Sequence, residues 1–144
     1  MGKDEFVGTW KLVSFEMRRS DGQTVYPFSK NVIGVLHYDA GGNMSAQLML
    51  PERPAFAIND QMKGTPEEIK AAFEGYMAYF GTYEINEEKG TVTHHVKGSM
   101  FPNWVGSDLV RFLELSGNRL TLRAPPIQMG GIAVTSLLIW ERMA

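Results

Sequence analysis

The chain has 144 residues, 44% of them hydrophobic and 21% charged, with a formal net charge of -2. That length and polarity fit one self-supporting domain, residues 1–144, and exclude a disordered chain. Fourteen scattered basic residues and no cysteine exclude a basic nucleic-acid surface, a disulfide framework and a zinc-thiolate site.

The opening Met-Gly-Lys-Asp-Glu-Phe-Val-Gly has no apolar signal core, and no apolar run approaches the roughly 18 to 20 residues that span a bilayer. A soluble, cytoplasmic protein with no membrane partner is therefore expected. Gly8 to Met17 reads as a strand, with Trp10, Leu12, Ser14 and Glu16 on one face and Lys11, Val13, Phe15 and Met17 on the other. Neither face is purely apolar, which suits the wall of a barrel. Glu16 shares its phase with Trp10 and Leu12, so it is either a buried acid or, far along the strand, an exposed one. Ser20-Asp21-Gly22-Gln23 is a turn, and Thr24-Val25-Tyr26 returns before Pro27 interrupts the ladder.

Val32 to Tyr38 and Met44 to Leu50 form a second hairpin across Asp39-Ala40-Gly41-Gly42-Asn43. Pro51-Glu52-Arg53-Pro54 ends it, and Ala55 to Lys63 is loop, either a lid or a connector. Thr65-Pro66-Glu67-Glu68 is a helix start: a hydroxyl N-cap, proline at the first helical position and a glutamate placed to complete a capping box. Ile69, Ala72, Phe73, Tyr76 and Phe80 recur at helical spacing, widened by Met77, and predict an apolar face laid against the sheet or plugging the barrel.

From Gly81 the pattern is a meander. Thr82 to Asn86 and Thr91 to Ser99 are strands joined at Glu87-Glu88-Lys89-Gly90, and Phe101 to Gly106 is loop. Leu109 to Leu115, Arg119 to Ala124 and Val134 to Met143 complete the set, separated by Ser116-Gly117-Asn118 and by Pro125-Pro126 with the turn glycines Gly130-Gly131. The fold class that follows is all-β: a closed antiparallel up-and-down barrel of about eight or nine strands with one α-helix inserted mid-chain. Closure removes exposed edges, and a barrel of that size holds side chains or one small ligand.

Gly8-Thr9-Trp10 on the first strand resembles the Gly-x-Trp signature of lipocalins. Together with Met44-Ser45-Ala46-Gln47-Leu48-Met49, Gly81-Thr82-Tyr83, Phe101-Pro102-Asn103-Trp104 and Trp140-Glu141-Arg142, it makes nearly the whole chain resemble the bacterial and fungal lipocalin-like domain family. The resemblance implies a small β-barrel with an internal cavity and no assured activity. It also implies that Trp10 closes the barrel floor and that Arg142 packs across it. The helix-bearing segment from Ala55 to Phe80 departs from the plain lipocalin meander, where the helix follows the barrel.

Strand alternation sorts the two adjacent histidines. His94 shares a face with Val92 and Val96 and is the inward candidate, while His95 shares one with Thr93 and Lys97 and should meet water. A histidine in a partly dry cavity can transfer a proton near neutral pH, or simply be a satisfied core residue. Because neighbours on a strand diverge, the pair cannot chelate one metal, and with only His37 left no metal or other cofactor is called for.

Ser45 and Gln47 share a face opposite Met44, Ala46 and Leu48; an inward placement of the polar pair is favoured, with the outward one open. Arg53, between two prolines at a barrel rim, could pair with a ligand carboxylate or be solvated. Tyr79 and Tyr83, at the junction of helix and strand, could offer hydroxyls to a ligand or simply pack with the hydroxyl at the surface. Asn103 and Trp104 follow the histidine strand near one mouth, where they either cover the pocket or are plain loop packing. Of the late arginines, Arg111 and Arg123 can face either way, and Arg123 is taken as the candidate.

Two functions from different classes are consistent with these residues. One is binding of a small hydrophobic or amphipathic molecule, oriented by His94, Gln47 and a tyrosine in a pocket softened by some of nine methionines. The other is a cofactor-free isomerase, cyclase or dehydratase with His94 as general acid or base. A structural module with a filled barrel is the third reading. A homodimer is the expected assembly, as small symmetric oligomers are common.

Overall fold

The computed structural model of the protein describes residues 3–129 and 131–143. A four-residue helix, α1 (Lys3–Phe6), leads into strands β1 (Gly8–Arg19), β2 (Thr24–Val25), β3 (Ile33–Tyr38) and β4 (Asn43–Met49). Helix α2 (Pro66–Glu74) follows, then β5 (Tyr76–Asn86), β6 (Thr91–Ser99), a single 3-10 turn at Pro102–Trp104, β7 (Asp108–Ser116), β8 (Arg119–Arg123), β9 (Ile127–Met129) and β10 (Ile132–Arg142). All pairings are antiparallel in the order β2-β1-β3-β4-β5-β6-β7-β8-β10-β9, and β1 also pairs β10. Eight strands thus close into an up-and-down barrel, with β2 and β9 as short additions at one rim. Of the expected turn glycines, Gly130 lies outside the described residues, and Gly131 takes a φ of 80°.

One end of the barrel is sealed. Phe6 is fully buried and its ring lies 4.1 Å from that of Tyr38 and 6.0 Å from that of Tyr83. Trp10 forms the floor as the resemblance implied: its indole donates to the Phe6 carbonyl at 3.1 Å, and the Arg142 guanidinium stacks 4.3 Å from its ring centre. Arg142 also donates to the carbonyl of Val7 at 2.8 Å and to that of Glu5, tying the last strand to the chain's start. A cation on an aromatic face, with its donors matched to backbone carbonyls, is a stabilising way to close an apolar floor.

Strand β1 departs from simple alternation. Leu12 pairs with Trp140 but Ser14 pairs with Ile139, so Val13 is an extra residue that shifts the phase. Phe15 and Met17 turn inward as a result, and Glu16 turns out to meet Arg18 at 3.0 Å. Glu16 is thus neither the buried acid nor the exposed one: its side chain is partly buried, 16% exposed, and ion-paired.

The start of α2 is as the sequence predicts: Thr65 accepts from the Glu68 amide at 3.2 Å, and Glu68 accepts from the Thr65 amide at 2.8 Å. Its remainder is not. The helix ends at Glu74, and Tyr76, Met77 and Phe80 belong to β5, which starts six residues earlier than expected. No α2 side chain is buried, and Ile69 and Phe73 are exposed. Gly75 explains the break, since its amide closes the helix on Ala71 and Phe73 and the following residues alternate as a strand.

Candidate functional site

The barrel interior above the floor holds a cavity of about 300 Å³. Leu36, Ala46, Leu48, Leu122 and Leu138 supply apolar wall, Trp104 and Trp140 supply aromatic wall, and Phe15, Met17 and Met77 line the remainder with Pro27 and Ala124 near the rim. His94, Tyr79, Arg111 and Ser136 are the polar groups in that lining, and no described lining residue is acidic. A mostly apolar hollow with a few converging polar groups is the usual form of a small-molecule site.

His94 is 1% exposed. The alternation of β6 sends it inward with Val92 and Val96, which are also buried. Two tyrosines hold its ring: the Tyr38 hydroxyl lies 2.5 Å from Nε2 and the Tyr79 hydroxyl 2.7 Å from Nδ1. Burial depresses the His94 pKa to about 3, with the Arg111 charge and then His95 adding to the effect. The imidazole is therefore neutral. Burial also pushes Tyr79 up to about 12, partly offset by Arg111, and raises Tyr38 further above its ordinary value, with Tyr79 adding to it.

A neutral imidazole has one N–H and one lone pair, so one tyrosine donates to it and the other accepts. Tyr38 is 2% exposed, packed against the Phe6 and Tyr83 rings at the sealed end, and Nε2 is the hydrogen-bond partner found for its hydroxyl. If Tyr38 accepted, its own hydrogen would be stranded in that dry end at a cost of about 1–3 kcal/mol. Tyr38 therefore donates to Nε2, the Nδ1–H donates to Tyr79, and the Tyr79 hydroxyl hydrogen is left on the cavity side.

Arg111, whose phase the sequence alone leaves open, lines the cavity. Its strand β7 places it on the face of Leu109, Leu113 and Leu115, so alternation with three leucines was the available signal. Among the described residues it has no carboxylate partner; its Nη1 donates to the Val110 carbonyl at 2.9 Å. Arg123, taken instead, faces out and stacks 4.9 Å from the Phe112 ring centre. Trp140, a second cavity residue outside the expected set, is 1% exposed, and its indole Nε1 is buried without a partner.

The other expected residues divide. Tyr79 and Trp104 join His94 at the cavity, and their rings meet edge-on at 5.8 Å. Tyr83 lies inside the barrel but at the sealed end, donating to the Asp39 carbonyl at 2.7 Å. Ser45 and Gln47 point outward, because Met44, Ala46 and Leu48 take the core face, and Gln47 accepts from the Tyr76 hydroxyl at 2.6 Å. The favoured inward placement of that pair is corrected: an apolar wall wins over a polar lining. Arg53 donates to the Ala72 carbonyl at 3.0 Å and stacks 5.0 Å from the Tyr76 ring centre, so it braces α2. Asn103 is exposed in the 3-10 turn beside Trp104. His95 faces out as expected, with Nδ1 2.7 Å from Asp108 Oδ1.

A second hollow of about 430 Å³ lies on the outer wall, between Lys11, Ile33, Gln47, Met49, Tyr76 and Met143. It is a larger but open groove. The inner cavity can surround a ligand and desolvate its polar contacts, which makes it the stronger candidate. No described group of three or more histidines, cysteines or acids is placed to hold a metal.

Comparison with known proteins agrees with this geometry. A lipocalin-like domain family model matches residues 7–143. The chain belongs to the lipocalin-like domain family. This lipocalin-like chain is also similar to the 4'-hydroxy-3'-methoxypropiophenone carrier protein of Aspergillus oryzae (strain ATCC 42149 / RIB 40), with 33% identity over 107 residues, 69% of this chain and 96% of that protein. No solved structure matches the chain.

Proposed function

We propose that this lipocalin-like barrel binds one small, largely apolar aromatic molecule in its inner cavity and serves as a carrier for it. The observation that carries the reading is the hollow itself: about 300 Å³ at the barrel's centre, walled by leucines, methionines and two tryptophans. Packed interiors ordinarily leave no void of that size, so the space calls for an occupant. The similarity to a protein named as carrier of an aryl ketone supports an aromatic ligand class.

The state of His94 favours binding over catalysis. Both ring nitrogens are engaged by tyrosines and the ring is neutral, so it offers neither a free lone pair nor a transferable proton without first breaking a buried hydrogen bond. No described helix is long and apolar enough to cross a membrane. The expected homodimer is checked independently by sedimentation, where two copies per particle support it and one overturns it.

Isothermal titration with 4'-hydroxy-3'-methoxypropiophenone tests the reading. One molecule should bind per barrel, and Ala124→Phe, which adds a ring at the cavity rim, should weaken binding at least about tenfold, or about 1.4 kcal/mol. Absence of binding to the wild-type protein, or equal binding by a folded Ala124→Phe variant, would overturn the proposed site.

A further inference from the structure

We propose that the cavity selects molecules bearing an anionic or strongly polarised oxygen, held by the Arg111 guanidinium and the Tyr79 hydroxyl hydrogen, and that it takes up an acidic phenol as its phenolate. This rests on the reading of the cavity as a small-molecule site and adds the chemistry of the ligand's polar end.

The polar atoms around the hollow are unbalanced. Arg111 is an inward cation with no carboxylate partner among the described residues. Tyr79 keeps a hydrogen to give, because its oxygen accepts from His94 Nδ1 at 2.7 Å and Tyr38 already fills Nε2 at 2.5 Å. The indole N–H of Trp140, in the same wall, is buried without an acceptor. Three donors with positive character thus border a space whose described lining contains no acid. Each is stabilised by an acceptor oxygen, and the guanidinium most by one that carries charge.

The same positive surroundings disfavour an alternative occupant. A ligand amine or ammonium would meet a like charge and leave all three donors unanswered, so discrimination against cations should be strong. For a phenol, binding in the ionised form breaks only its O–H bond. The proton leaves to bulk water, the oxygen keeps the electron pair, and neither Arg111 nor Tyr79 changes its protonation state.

Two shape-matched probes test this: 4-nitrophenol, whose phenolate absorbs at longer wavelength than its phenol, and 4-nitrotoluene, in which a methyl group replaces the hydroxyl. Below the free dye's pKa, wild-type protein should bind 4-nitrophenol at least about tenfold more tightly than 4-nitrotoluene, and the bound dye should show the phenolate band. The readout in each variant is the ratio of the two affinities, with folding checked by circular dichroism. Arg111→Met should bring the ratio to within about twofold and abolish the band, Arg111→Lys should restore most of it, and Tyr79→Phe should lower it about threefold. Equal binding of both probes by wild-type protein, with the dye remaining a neutral phenol, would overturn this inference and leave the cavity reading intact. Binding of neither probe would overturn both.

Discussion

At the scale of single residues, His94 stays neutral because burial removes the water that would solvate an imidazolium and Arg111 adds a like charge nearby. Its folded pKa of about 3 lies below the ordinary value of about 6.5. Between those values the unfolded chain binds a proton that the folded chain excludes. Stability should therefore fall as the pH drops from about 6.5 towards 3, by up to about 1.4 kcal/mol per pH unit from this group. Urea denaturation across that range should show a shallower acid slope for His94→Gln than for the wild type, and an equal slope would contradict the assigned burial and charge state. Alternation on β6 was enough to separate His94 from His95 in the sequence, since three consecutive inward positions carry Val92, His94 and Val96. The tyrosine partners were not legible in this way. Tyr38 lies 56 positions from His94 in the chain, and only barrel closure brings them within 2.5 Å.

At the scale of elements, two departures from regular alternation determine which side chains reach the interior. The extra residue at Val13 puts Phe15 and Met17 in the cavity wall in place of Ser14 and Glu16. A bulge has no composition signal of its own here, so a phase counted from Trp10 fails beyond it. A second irregularity lies opposite Gly81, where β5 and β6 change register between Phe80 and Gly81. A Cβ at Gly81 would lie 1.9 Å from the His95 backbone oxygen, and relief requires the two strands to part. Gly81→Ala should cost about 3 kcal/mol in chemical denaturation. Gly98→Ala, whose added atom meets only the ring edge of the exposed Phe80, should cost less than about 1 kcal/mol; equal losses would contradict the difference in packing. Helix α2 shows the reverse of β1. Its capping box was readable because the cap is local, whereas its apolar periodicity ran on into a strand and predicted a buried face that the fold does not provide. Hydrogen exchange in α2 should accordingly be faster than in β5 and β6.

At the scale of the whole molecule, closure of β1 on β10 does two things at once. It removes the free edges of the eight barrel strands, and it brings the chain's two ends together so that Phe6, Trp10 and Arg142 seal one end. The opposite end keeps Pro27, Ala124 and Trp104 around the hollow. The barrel itself was legible as a succession of hairpin-linked strands, and the Trp10 and Arg142 floor through its likeness to lipocalins. The positive interior was not, because it depends on which arginine of β7 and β8 points inward, and Arg111 and Arg123 differ only by strand phase. From the closed barrel and its donor-rich hollow comes the central claim, that one small aromatic molecule sits inside with its oxygen towards Arg111 and Tyr79. A crystal structure of the protein grown with 4-nitrophenol tests it most directly. The dye is predicted between Trp104 and Trp140 with its phenolate oxygen within hydrogen-bond reach of Arg111 and Tyr79. A dye bound instead in the outer groove beside Ile33 and Tyr76, above an empty interior, would contradict it.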